Sequence, residues 1–311
     1  MRQRRILVTG AAGFIGTALG ARLRAEQALV TGLSRLPAPH CTAVGTMDTT
    51  GDWSDWLRGV DTVVHLAGRA HVMRETASDP LQAYRRVNVD LTLHLARQAV
   101  THGVRRFVFL SSIKVNGEAT RPGRPFRAGD APAPVGPYAV SRREAEDALL
   151  ALAARTSLEV VVIRPPLVYG PGVRANFRTL MNALARGVPL PLGAIDNRRT
   201  LVGLDNLVDL IVAAIRPPQA ANRILFAGDG EDLSTRALVR RLAGAMQVRA
   251  RLVPVPVPLL RLAGRLGGRG EAVRRLCDNL QVDLSDTCRV LGWTPPVSVD
   301  EGLRRAAGCD R

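Results

Sequence analysis

The stretch Arg4-Arg-Ile-Leu-Val-Thr-Gly-Ala-Ala-Gly-Phe-Ile-Gly16 decides the fold. Residues 4–9 are a short apolar run that predicts a buried β-strand, and the segment from Phe14 to Glu26 predicts the helix after it. The Gly-x-x-Gly-x-x-Gly spacing between them belongs to a strand-to-helix turn suited to a dinucleotide. Gly10 permits the tight turn, Gly13 lets backbone approach a pyrophosphate, and Gly16 lets the helix pack closely on the strand. Free N–H groups at the helix start, where Phe14 and Ile15 stand, add a positive dipole end for the phosphates.

Working outward, Ala28 to Leu33, Asp61-Thr-Val-Val-His-Leu-Ala67, Arg106 to Ser111 and Glu159 to Arg164 are further short apolar runs, separated by helical stretches, notably 81–102 and 138–155. Strands apolar on both faces, alternating with helices, imply a parallel sheet covered on both sides. The expected fold class is α/β, a Rossmann-type doubly wound parallel sheet with a smaller C-terminal α/β substrate lobe. After Arg164-Pro-Pro the texture changes to Gly-Pro pairs and the Pro-rich Val253-Pro-Val-Pro-Val-Pro258. Residues 1–165 are therefore expected to form the dinucleotide-binding domain, with re-entry around 200–227, and 166–311 mainly the substrate-binding lobe.

The second strand ends Thr31-Gly-Leu-Ser-Arg35. An acid there would bind ribose hydroxyls; Ser34 and Arg35 instead suit a 2′-phosphate, so NADP(H) is expected ahead of NAD(H). Asp48 is either an adenine partner or a turn aspartate.

Composition narrows the classes. The 311 residues are 46% hydrophobic with mean hydropathy +0.05, as in an ordinary globular protein. Net charge is +16, and the basic residues are 42 arginines and one lysine, Lys114. The arginines are spread along the chain and aromatics make up 4%, which leaves little to stack bases on and argues against a nucleic-acid partner. The segment from Arg236 to Arg275 carries ten arginines against one acid, Glu271. It reads as a solvated basic face, with weak contact to an anionic membrane surface as the alternative. No run approaches the roughly 20 apolar residues of a membrane span, and the basic N-terminus runs into a strand rather than a signal peptide, so a cytoplasmic location is expected. Cys41, Cys277, Cys288 and Cys309 form no CxxC pair and read as free thiols. The five histidines lack ligand spacing, no metal site is expected, and His65, inside an apolar strand, reads as structural.

In Tyr138-Ala-Val-Ser-Arg142 a tyrosine precedes a cation by four residues, so both lie on one helix face. A fixed cation favours the ionised phenol that proton exchange requires. Ser112, ending a buried strand in Phe-Leu-Ser-Ser-Ile, can hydrogen-bond a reacting oxygen. Lys114, two residues on, would share its face if the strand continued that far.

With these motifs the chain resembles the extended short-chain dehydrogenase/reductase superfamily, in its nucleotide-sugar epimerase/dehydratase branch. The resemblance spans nearly the whole sequence and rests on residues 9–16, His65-Leu-Ala-Gly68, Val87-Asn-Val89, Ser111-Ser112, Pro137 to Arg142, Arg164-Pro-Pro-Leu-Val-Tyr-Gly-Pro171 and Leu291-Gly-Trp-Thr-Pro295. It implies that Ser112 and Tyr138 are catalytic, and that Leu66, Ala67, Gly68, Asn88, Ser111 and Pro165 border the cofactor together with Tyr138 and Arg142. It further implies that Asn176, Phe177, Arg199 and Ser112 meet the substrate. The family pattern has lysine where this chain has Arg142, and the two side chains are not equivalent. The phrase Ser-Ser-Ile-Lys-Val-Asn-Gly-Glu118 is similar to bacterial enzymes that make UDP-N-acetyl deoxy-sugars for surface polysaccharides.

The leading expectation is an NAD(P)-dependent 4-ketoreductase of a UDP-linked 4-keto sugar, with Arg142 holding the ribose and tuning Tyr138. A C4 epimerase with tightly retained NAD is the alternative, and a non-catalytic cofactor-binding sensor or scaffold is the third reading. The resemblance implies a homodimer built on 81–102 and 138–155.

Overall fold

The computed structural model describes residues 3–46, 48–70, 76–173 and 175–308. In chain order its first half contains β1 (Arg5–Thr9), α1 (Phe14–Ala25), β2 (Leu29–Ser34), β3 (Thr42–Ala43), α2 (Ser54–Leu57), β4 (Thr62–His65), α3 (Pro80–Arg85), α4 (Leu91–Thr101), β5 (Arg106–Leu110), α5 (Gly136–Ala153) and β6 (Glu159–Arg164). The second half contains β7 (Leu167–Tyr169), α6 (Ala175–Ala185), β8 (Arg199–Gly203), α7 (Leu204–Ile215), β9 (Arg223–Phe226), β10 (Asp232–Leu233), α8 (Thr235–Ala245), α9 (Val257–Leu266), α10 (Gly270–Cys277), α11 (Ser285–Leu291) and α12 (Val299–Ala306).

Seven parallel strands form the main sheet in the order β3-β2-β1-β4-β5-β6-β9. Helices cover both faces: Val8, Val64, Val161 and Leu207 belong to one core, and Leu7, Val63, Phe107, Leu95 and Leu149 to the other. This is the doubly wound Rossmann-type fold expected from the apolar runs. Strand order reverses beside β1, where Thr9 sits in register with Leu33 on one side and His65 on the other. A ligand crevice opens at the carboxyl ends of strands at such a reversal.

The chain leaves the sheet after Arg164, builds a small sheet in the order β10-β8-β7, and returns twice. The first return lays α7 in the core beside α1 and adds β9 to β6. The second brings α11 and Trp293 back, with the indole N–H donating to Asp209 at 2.9 Å. Arg106, wholly buried, locks the first return. It donates to the carbonyls of Ala214, Ile215 and Pro217 at 2.8–3.0 Å and to Glu159 at 2.5–3.0 Å. A cation on the last carbonyls of α7 satisfies acceptors that the helix itself leaves open.

The smaller lobe has its own core of Tyr169, Phe177, Leu201, Val239, Leu242 and Leu303. Phe14 packs against this core and against that of the main sheet. Across the same joint the buried Tyr169 hydroxyl donates to Asp229 at 2.7 Å, and Asp229 accepts from Gly203 N and Asn206 Nδ2, each at 2.7 Å. Burial pushes the Asp229 carboxyl above its ordinary range, against the pull of those donors.

Cys41, Cys277 and Cys288 are free thiols, whereas Cys309 lies outside the described residues. Among the described residues no helix is long and apolar enough to cross a membrane, and no cluster of His, Cys, Asp and Glu could hold a metal ion.

Candidate active site

The cleft begins at the glycine turn. Gly10 has φ +70°, and a Cβ there would stand 2.8 Å from the Ala67 nitrogen. Only glycine lets the turn touch the Leu66–Gly68 loop that leaves β4. At Gly16 a Cβ would lie 2.2 Å from the Gly10 carbonyl, so this residue lets α1 close on the turn itself rather than merely on the strand. Gly13 caps α1 with its nitrogen on Gly10 O at 2.9 Å, and Ile15 packs into the core behind it.

Below the turn, Thr9 Oγ1 and Thr92 Oγ1 hold the two ring nitrogens of His65 at 2.7 and 2.9 Å. Burial, with the charge of Arg142 second, pushes the imidazole down to about 3, so it stays neutral. His65 is structural.

Three expected cofactor contacts are engaged inside the protein instead. Ser34 is buried and donates to Leu36 O at 2.7 Å, shaping the turn that leaves Arg35 exposed. Ser111 donates to Glu146. Asn88, wholly buried, accepts from Arg69 N at 2.8 Å through Oδ1 and donates to Arg69 O at 3.1 Å and Ser141 Oγ at 3.0 Å. It fastens the loop after β4 to α5, which makes it a positioning residue. The expected single helix 81–102 is interrupted at this residue by a π-turn, Arg86–Asp90. Asp48 accepts from Thr50 N at 2.9 Å and Thr50 Oγ1 at 2.7 Å, a turn aspartate whose carboxyl these bonds hold low.

The strand carrying Ser112 does not continue. It ends at Leu110, and Ser112 instead caps a 3-10 turn, Ile113–Val115, accepting from Lys114 N at 3.3 Å. Lys114 pairs with Glu118 at 3.1 Å. The buried Pro165 braces the turn, its carbonyl accepting from Ile113 N at 3.0 Å.

Tyr138 stands in the first turn of α5, half-buried, its ring edge-on to Tyr84 at 6.0 Å. One turn on, the Arg142 guanidinium carbon lies 5.5 Å from the centroid of the Tyr138 ring and 5.3 Å from that of Phe109. Arg142 is 4% exposed, and its Nε and Nη1 have no hydrogen-bond partner among the described residues. Room for it comes from Gly68, where a Cβ would lie 2.2 Å from Nη2. Ring faces compensate a buried cation only in part, so the open donors call for acceptors from a ligand. The hydroxyls of a dinucleotide ribose are acceptors of that kind, and the cleft fits the cofactor on this ground.

One turn further along α5, Glu146 is wholly buried and paired with Arg164 through Nε at 3.0 Å and through Nη2. Arg164 also donates to Asn116 at 2.8 Å. This network, absent from the expectations, had a sequence signal: Tyr138, Arg142 and Glu146 recur every four residues on one face of α5.

On the substrate side the expected residues differ in their surroundings. Arg199 is largely desolvated, which lowers its affinity for a proton, and donates to Asp278 O at 3.0 Å. Asn176 is exposed in the first turn of α6. Phe177 turns inward, 3% exposed and stacked on Tyr169 at 5.7 Å, so it is core rather than a substrate contact.

The profile described as the NAD dependent epimerase/dehydratase family matches residues 6–228. The chain belongs to this family. It is 45% identical to a UDP-glucose 4-epimerase of Vibrio cholerae over 97% of this chain and 94% of that one. It is 30% identical to a 2-alkyl-3-oxoalkanoate reductase of Stenotrophomonas maltophilia over 97% and 98%. Among solved structures, MoeE5 in complex with UDP-glucuronic acid and NAD superposes with TM-score 0.79 at 28% identity, covering 98% of both chains. The protein is thus an NAD(P)-dependent enzyme of the extended short-chain dehydrogenase type, which sets aside the sensor or scaffold reading.

Proposed function

We propose that this epimerase/dehydratase family member is a 4-ketoreductase of a UDP-linked 4-keto, N-acetylated 6-deoxy sugar, serving surface-polysaccharide synthesis. The observation that carries this reading is the end of β2. Where an acid would hold a bare ribose, the chain has a buried serine followed by the exposed Arg35. A guanidinium there suits the 2′-phosphate of NADP(H), the exchangeable reductant of such reductions. The UDP-sugar substrate class draws support from the Vibrio cholerae relative and from the ligands of MoeE5.

When bound, a reduced nicotinamide cofactor would supply the hydride needed at C4. Tyr138 donates its phenolic proton to the oxygen that becomes the alcohol, and Ser112 steadies the same oxygen by hydrogen bonding. Arg142 spans the two tasks: its charge beside the Tyr138 ring stabilises the phenolate left after proton transfer, and its open donors hold the ribose. Ala67 and Gly68 line the cofactor beside the Gly10 turn. Arg199 and Asn176 serve the diphosphate, with 166–311 mainly the substrate-binding lobe and the chain re-entering the dinucleotide-binding domain around 200–227. The faces of α4 and α5 serve as the homodimer contact.

A second reading, a C4 epimerase with retained NAD+, is favoured by the 45% identity to the Vibrio cholerae epimerase. The deciding experiment is mass spectrometry of the small molecules released on denaturing the purified protein. NADP(H), or an empty site that takes up NADPH on titration, supports the reductase. Stoichiometric NAD+ replaces it with the epimerase.

A further inference from the structure

The helices α9 and α10 pack as a hairpin, and α9 carries two apolar stripes. Val257 and Leu260 face the core of the smaller lobe, and Gly264 lies so close to α10 that a Cβ would meet Val273 at 2.6 Å. The second stripe is Leu259, Leu262 and Leu266, at i, i+3 and i+7 and therefore on one side of the helix. These leucines are 56%, 54% and 82% exposed, and Leu276 of α10 is 43% exposed. Leucines spaced to be buried are here turned outward.

The charge around them is predominantly positive. Arg261 pairs with Asp278 at 2.7 Å and Arg275 with Glu271 at 3.5 Å. Arg249, Arg251, Arg265, Arg269 and Arg274 are exposed and make no ion pair with a described residue. Arg261, Arg265 and Arg274, with Glu271 and Asp278, line a cavity of about 380 Å³ between the two helices. A two-fold contact with a second copy of this chain would set arginines against arginines. An anionic lipid surface instead offers phosphates to the arginines and acyl chains to the leucines.

We propose that the α9–α10 hairpin docks the protein on an anionic phospholipid surface, with Leu259, Leu262 and Leu266 at the headgroup boundary and the unpaired arginines on lipid phosphates. The hairpin ends beside Arg199, which donates to Asp278 O at 3.0 Å, so docking brings that side of the smaller lobe to the membrane.

The test is co-sedimentation of the full chain with vesicles of equimolar phosphatidylglycerol and phosphatidylcholine, and with vesicles of phosphatidylcholine alone. The expected result is partition onto the anionic vesicles only. It should fall about tenfold in the L259Q/L262Q/L266Q variant and again in R265E/R269E/R274E, with cofactor binding unchanged in both. No partition onto anionic vesicles, equal partition onto neutral ones, or an undiminished signal from the triple glutamine variant overturns the proposal. So does a fall in oligomer mass by light scattering on leucine replacement without change in vesicle binding, which would make a second copy the occupant. Cofactor identity does not enter this measurement, so its failure leaves the proposed function untouched.

Discussion

Arg142 on α5 and Arg164 at the end of β6 are both buried guanidiniums, with Glu146 one turn beyond Arg142 as the partner of Arg164, and the protein treats the two oppositely. Arg164 meets a wholly buried carboxylate, Glu146, and an amide oxygen, Asn116, so its charge is answered from within. Arg142 meets two ring faces and leaves Nε and Nη1 open. A buried cation without acceptors costs stability, and the fold bears that cost only where something outside the chain supplies them. The first arginine belongs to the fold, the second to the ligand.

This contrast separates variants that stop chemistry from variants that loosen the protein. The largest effect is expected from Tyr138→Phe, on the cleft side: turnover falls by about a thousandfold, in the range of a lost general acid. Its unfolding midpoint and cofactor affinity should stay unchanged. Surviving turnover in a steady-state assay would remove Tyr138 from the mechanism.

On the sealed side, Glu146→Gln leaves Arg164 without its counter-charge and should cost about 3–5 kcal/mol in urea unfolding, as breaking a buried pair does. A loss under about 1 kcal/mol would mean that the network is less essential to the fold than its burial implies.

His65 sharpens the contrast by pH. A free histidine takes up a proton near pH 6.5, whereas His65 resists until about pH 3, so the unfolded chain binds the proton first. Its contribution to stability is full above pH 6.5 and is lost as pH falls from there toward 3, by up to about 1.4 kcal/mol per pH unit. Unfolding free energies of wild type minus His65→Asn, measured across that window, should carry this slope; a flat difference would mean that His65 is not held neutral. The smallest effect is at the rim of the cleft, where Arg35→Ala should weaken NADPH about tenfold and NADH little, by fluorescence titration. Equal weakening of both would remove the 2′-phosphate assignment.

Much of this was legible in the sequence, because apolar runs and a glycine turn report local backbone demands. β1, β2, β4, β5 and β6 fall where the apolar runs predict, and Tyr138 with Arg142 lie on one face as their spacing requires. What stayed hidden depends on which way a polar side chain turns. Ser111, Asn88 and Ser34 look like cleft residues but bond inward, and Phe177 joins a core formed by residues distant in sequence. The π-turn at Asn88 and the 3-10 turn after Ser112 are one-turn departures that hydrophobic periodicity is too coarse to register.

The central claim is that the open donors of Arg142 are completed by the cofactor. The most direct test is the unfolding midpoint of wild type and Arg142→Met, each with and without saturating NADPH. Without cofactor the variant should be as stable as wild type or more so, since an unanswered buried charge is gone. With cofactor, wild type should rise and the variant should gain much less. An equal gain in both proteins would contradict the account.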